Sequence, residues 1–86
     1  MAAESRAASV VDVEVQEGSW VLQNPDMHAT LEERSATLVV GYWRKGAEHP
    51  TTWDRANRLE AGDRLIALGT PLQVERLRAL LGKSTS

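Results

Sequence analysis

The side chains able to do chemistry are few and scattered. Asp12 and Glu14 stand two apart, so on an extended strand both carboxylates share one face. Such a pair could help hold a hard cation. The valines that alternate with them favour a solvated sheet face instead. His28 and His49 are the only imidazoles, and no third ligand follows at a metal-site spacing. Gly62-Asp63 is a turn pair whose carboxylate is expected to accept backbone hydrogen bonds rather than protons from a substrate. Glu32-Glu33-Arg34 reads as helix-surface charge. No nucleophile–base pair, paired catalytic carboxylates or metal motif appears, so an enzyme is not expected.

The totals narrow the classes further. With 86 residues the chain holds at most one domain. A chain of that size buries only about 60–65% of the surface it exposes when unfolded, so its core is small. Ten basic and twelve acidic residues are interspersed, for a net charge of −2. Nucleic-acid binders gather positive charge on one face, and the one basic pair beside an aromatic is Trp43-Arg44-Lys45. No nucleic-acid partner is expected. There is no cysteine, which excludes disulfides and thiolate metal sites. The apolar runs are too short to span a bilayer. Residues 1–9 lack a hydrophobic signal core and read as a flexible leader.

The remaining chain must position whatever site exists. Val11, Val13 and Val15 alternate with Asp12, Glu14 and Gln16, the pattern of a half-buried strand over 10–16. Trp20-Val21-Leu22 follows as a buried connection. Asn24-Pro25-Asp26 carries helix-start signals, predicting a short helix through Arg34 with Met27, Thr30 and Leu31 inward. Thr37–Trp43 is β-branched and aromatic and predicts a central strand. Gly41 within it marks a bulge or a close backbone approach. Arg44–Ala47 reads as a turn, with a short strand around Ala47–His49 closed by Pro50. Arg64–Leu68 is the last strand, ended by Gly69. Thr70-Pro71-Leu72-Gln73 is close to a complete capping box. Val74, Leu77, Leu80 and Leu81 form the apolar stripe of the helix it opens. Residues 83–86 read as a tail.

The order is strand, helix, strand, strand, strand, helix. It predicts an α+β fold: a small, mainly antiparallel sheet of about four strands with two helices packed on one face. Trp20, Trp43 and Trp53 stand in a chain without phenylalanine. Tryptophan is favoured at interfaces, so either at least one meets a second protomer or all three are core.

These motifs, in this order, resemble the TrkA C-terminal family, also called the RCK C-terminal domain. Its closing signature, L-x-x-G-D-x-L-x-x-x-G with apolar residues after it, is matched by Leu59, Gly62-Asp63, Leu65, Gly69, Val74 and Leu77. The Val15–Ser19 turn and the Thr37–Gly46 strand and turn are similar to the family's as well. The match covers about residues 10–82. It departs at Leu22–Met27, where the family often has Leu-x-Gly-Lys, and at Thr51–Arg58, which lacks the usual proline-rich run.

The resemblance implies a regulatory domain over residues 10–82, acting on a potassium or other monovalent-cation channel, transporter or antiporter. It implies a two-fold homodimer, a membrane channel or transporter subunit as partner, and a cytoplasmic location at the membrane through that partner. The ligand it implies is a small nucleotide, cyclic di-AMP, or a divalent cation, held between protomers. The residues carried over to that site are Arg44 and His49, with an apolar wall from Val39 and Pro50. A guanidinium there would hold a phosphate bidentately, and an imidazole would add a hydrogen bond. Two polar residues on a surface hairpin is the plainer reading of Arg44 and His49. Two alternatives stay open: a structural homodimerisation module without ligand, and a biotinyl/lipoyl-like carrier.

Overall fold

The computed structural model describes residues 7–24, 30–54 and 58–82. Four strands form one antiparallel sheet: β1 (Ser9–Glu14), β2 (Leu38–Trp43), β3 (Thr51–Thr52) and β4 (Arg64–Gly69). Their spatial order is β1-β4-β2-β3, so the last long strand is inserted between the first two. Helices α1 (Trp20–Gln23), α2 (Leu31–Ser35) and α3 (Pro71–Leu81) complete the α+β fold.

The alternation along β1 holds. Val13 and Val15 are buried while Asp12 and Glu14 are exposed. Val15 continues the ladder past the strand, its N–H donating to the Asp63 carbonyl and its carbonyl accepting from Gly62 N–H. Leu65 and Ala67 of β4 and Val39 and Tyr42 of β2 face the same interior. From the helical side Val21, Leu31, Leu77 and Leu81 fill it, and each of the four is fully buried. Burying such a side chain stabilises by roughly 1.5–3 kcal/mol, which is why three short helices persist against one sheet.

Helix α3 packs on β1 and β4, and α1 and α2 pack on α3. Its start is the capping box that the sequence predicts: the Thr70 hydroxyl accepts from Gln73 N–H and the Gln73 carboxamide oxygen accepts from Thr70 N–H at 2.8 Å. A bulge interrupts the β2–β4 pairing between Val39 and Gly41. At Gly41 a Cβ would lie 2.8 Å from the Thr51 carbonyl oxygen, so both expectations for this glycine hold.

Local expectations change at three places. Trp20-Val21-Leu22, read as a buried connection, is the helical turn α1, with Val21 buried and Trp20 and Leu22 half-buried. Asn24 sits at the C-terminal end of that turn, its carboxamide donating to the Trp20 carbonyl at 2.8 Å. The predicted helix through Arg34 is realised as α2 at its C-terminal end, and its start at Pro25–Ala29 lies outside the described residues. The edge strand sits at Thr51–Thr52, not at Ala47–His49. Ala47 N–H closes the turn onto the Arg44 carbonyl. Pro50 has no N–H to give, so the ladder begins only after it.

Candidate ligand-binding site

The β2–β3 turn and the turn before β4 meet at one end of the sheet. Gly62, at φ 93°, turns the chain so that Asp63 points inward. Asp63 is fully buried. One of its carboxylate oxygens accepts from Glu60 N–H at 2.8 Å, and the other lies 3.4 Å from Lys45 N–H. The Arg44 guanidinium completes its shell at 3.1 Å. Asp63 therefore accepts backbone hydrogen bonds as its turn position predicts, and it also fastens the neighbouring turn to its own.

Arg44 is consequently not a spare cation. Its guanidinium also pairs with Glu60 and donates to the Arg58 carbonyl at 3.1 Å. It lies over the Tyr42 ring at 5.2 Å from the centroid. Partial burial works against its charge, but the Tyr42 hydrogen bond and the charges of Asp63 and Glu60 outweigh that and raise its pKa above the usual arginine value. Its side chain stays 34% exposed, though both terminal nitrogens are engaged.

Beside it lies an open cavity of about 450 Å³, lined by Asp12, Trp43, Arg44, Lys45, Gly46, Ala47, Gly62 and Arg64. Three cations and one carboxylate surround an indole. In a chain of net charge −2 this is a local reversal of sign. Arg64 faces Asp12 at 3.9 Å, both well exposed, a pairing of little energetic weight. Lys45 takes part in neither of these ion pairs; its stem lies over Gly62, where a Cβ would meet its Cδ at 2.8 Å. The chemistry suits an anionic group carrying a flat ring, with the ring on Trp43 and the charge on Lys45 and Arg64.

The four residues carried over by resemblance are not gathered around this cavity. Arg44 lines it, but Val39 is buried in the core, and His49 and Pro50 stand exposed on the β2–β3 loop away from its lining. Lys45, Arg64 and Trp43 were not singled out together by the sequence. The signal was there in part: Trp43-Arg44-Lys45 is contiguous, and Arg64 directly follows the Gly62-Asp63 turn. Only the β2–β4 register, which places Trp43 opposite Arg64, brings them together. Among the described residues, no three His, Asp or Glu side chains lie close enough to share a metal ion.

No family model and no curated protein sequence matches the chain. Among solved structures it is similar to the GsuK channel, with a TM-score of 0.71 and 20% sequence identity. The match covers 96% of this chain and 15% of that one, so the chain spans only a small part of the channel's length. At this identity the likeness shows the fold: nearly the whole chain has an architecture that also occurs within a channel protein.

Proposed function

We propose that this chain is a regulatory domain of a cation channel or transporter, acting on potassium or a similar monovalent cation. The observation that carries the reading is the likeness of almost its whole length to a small part of a channel. No described helix is long and apolar enough to cross a membrane, so the described domain would act on a membrane partner from outside the bilayer. The resemblance to the TrkA C-terminal family, read from Leu59–Leu77 and Thr37–Gly46, points the same way independently. In this role the domain pairs two-fold and responds to a small anionic ligand, of which cyclic di-AMP is the first to try. The cationic cavity beside Trp43 supports the anion over a divalent cation.

The second reading is a structural pairing module that keeps the fold without a ligand. The tie-up of Arg44 with Asp63 and Glu60 favours it, because a lost site and a structural arginine look alike. The carrier alternative falls to the α+β layering, which is not the all-β sandwich that such carriers need.

Thermal unfolding with cyclic di-AMP, mononucleotides and divalent cations separates the two. A ligand at 100 times its Kd stabilises by about 2.7 kcal/mol through mass action. The ligand-sensing reading expects a nucleotide to raise Tm and Lys45→Gln to abolish the rise without changing the ligand-free Tm. If no compound moves Tm, sensing is wrong and the structural module stands.

A further inference from the structure

The two sides of the sheet end differently. Its order leaves β1 and β3 as the outer strands. An outer strand offers a row of unpaired N–H and C=O groups, which proteins blunt by shortness, proline, bulges or charge. The β3 side is blunted, having two residues and following Pro50. β1 has six residues with no proline, glycine or lysine among them, and its pairing with β4 runs unbroken from Ser9 to Glu14. Its one guard is the charge of Asp12 and Glu14, both exposed.

The hydrogen bonds show which backbone groups of β1 are open. Val15 turns its N–H and C=O towards β4, onto the Asp63 carbonyl and Gly62 N–H. Backbone groups alternate in direction along a strand, so Val13 and Val11 also face β4, and Glu14, Asp12 and Val10 face outward. Gln16 bears out the alternation: its N–H points outward and donates to the Leu81 carbonyl at 2.8 Å. The end of α3 thus covers the edge at Gln16. Among the described residues no backbone group covers it at Val10, Asp12 and Glu14. Beside them lies a cavity of about 480 Å³ lined by Val10, Val11, Asp12, Trp43, Ile66 and Arg78. Val11 packs towards the core and Arg78 is on α3, whereas Val10, Asp12 and Ile66 belong to the outer face. The cavity therefore reaches round the free edge, where a neighbouring strand would set its side chains.

We infer that the edge of β1 takes up an extended, basic segment of a partner polypeptide as an added strand. The inference does not depend on the function proposed above. Main-chain bonds to Val10, Asp12 and Glu14 would hold the segment, and its side chains would give selectivity. Residues directly opposite Asp12 and Glu14 share the outer face with them. β4 offers those carboxylates a single cation, Arg64, which is opposite Glu14 and 3.9 Å from Asp12. Lysine or arginine at alternate positions of the added strand supplies the missing charge. Apolar residues fit between them beside half-buried Val11, and opposite Val10. The carboxylates also select against a second β1: antiparallel pairing centred on Asp12 sets it against its own copy, and like charges directly opposite repel. A short strand buries little area, so binding is weak, with a Kd on the order of 100 μM.

The probe is the capped peptide Thr-Lys-Val-Lys-Val-Val-Thr, with Thr-Glu-Val-Glu-Val-Val-Thr as its charge-reversed twin. Amide exchange with water is followed by NMR on the full chain. At about 2 mM basic peptide, exchange at Val10, Asp12 and Glu14 should slow about tenfold, within the roughly twentyfold limit that occupancy sets. Val11 and Val13, already bonded to β4, should not change. Asp12→Lys with Glu14→Lys should lose the basic peptide and take the acidic one. Asp12→Pro removes an outward N–H that β4 does not use, and should abolish both. No slowing at about 2 mM overturns the proposal, as does equal binding of the two peptides or basic-peptide binding that survives the double change. Slowing of the same three amides by raising the chain's own concentration, without peptide, would assign the edge to a second copy and overturn it too.

Discussion

Arg44 shows how one residue type can suit two roles. An arginine at the end of a strand, beside a turn, is what phosphate recognition uses. In this chain the same geometry serves Asp63, a carboxylate with no exposed surface that needs a counter-charge. Truncation to alanine would leave that carboxylate with one short backbone hydrogen bond and one long one. Breaking a fully buried pair costs about 3–5 kcal/mol. Arg44 is one-third exposed, and water can reach the vacated space, so Arg44→Ala should cost about 1–3 kcal/mol in urea unfolding. Arg44→Lys keeps the charge but not the fork that serves Asp63, Glu60 and the Arg58 carbonyl, and should fall between the two. Because the folded-state pKa of Arg44 is raised, its contribution is present below the unfolded arginine value and lost only as pH climbs through the folded one. The wild-type advantage should therefore not diminish on the alkaline side up to about pH 10. An Arg44→Ala protein as stable as wild type would show that Asp63 does not depend on this arginine.

Among the elements, those with their own local signals were legible. Alternating valines gave β1, the β-branched run gave β2, and Thr70-Pro71-Leu72-Gln73 gave the start of α3. These signals act within a few residues, through periodicity or through one side chain and one backbone N–H. The elements that were displaced depend on the whole fold. Trp20–Gln23 is a single turn whose N-cap Ser19 makes no side-chain bond, held by the burial of Val21, by the Asn24 carboxamide on the Trp20 carbonyl and by Arg34 lying 4.7 Å from the Trp20 ring centre. Glu32 looked like surface charge, yet its carboxylate accepts from Val39 N–H at 3.0 Å and ties α2 to β2. Nothing within either segment announces its partner. The candidate site shares this limit: Trp43 and Lys45 are adjacent to Arg44 in sequence, but Arg64 joins them only through strand register. The capping box offers the test at this scale. Thr70→Ala removes the hydroxyl that accepts from Gln73 N–H, at a cost of about 1 kcal/mol and within about 0.5–2 kcal/mol. The loss should appear in unfolding by urea with the m-value unchanged. A change smaller than a few tenths would mean that packing on β1 and β4 alone fixes where α3 begins.

As a whole the molecule is thin, 21 Å along its shortest axis, one layer of helix on one layer of sheet. Two layers give a single core, and a chain of this length is marginal on its own. Val10, Leu38 and Val40 stand in water while the other sheet face is packed. If the domain pairs two-fold as proposed, stability must depend on concentration, because the dimer binds up folded chains and not unfolded ones. For a pairing Kd on the order of 100 μM each protomer gains about 0.9 kcal/mol over a hundredfold rise, because the chain is still mostly monomeric at about 10 μM. A domain of this size shifts by about 4–8 °C per kcal/mol, so Tm should climb by roughly 3–7 °C between about 10 μM and about 1 mM. Scanning calorimetry at matched scan rates would measure the shift. A Tm that ignores concentration would mean that the isolated domain does not pair.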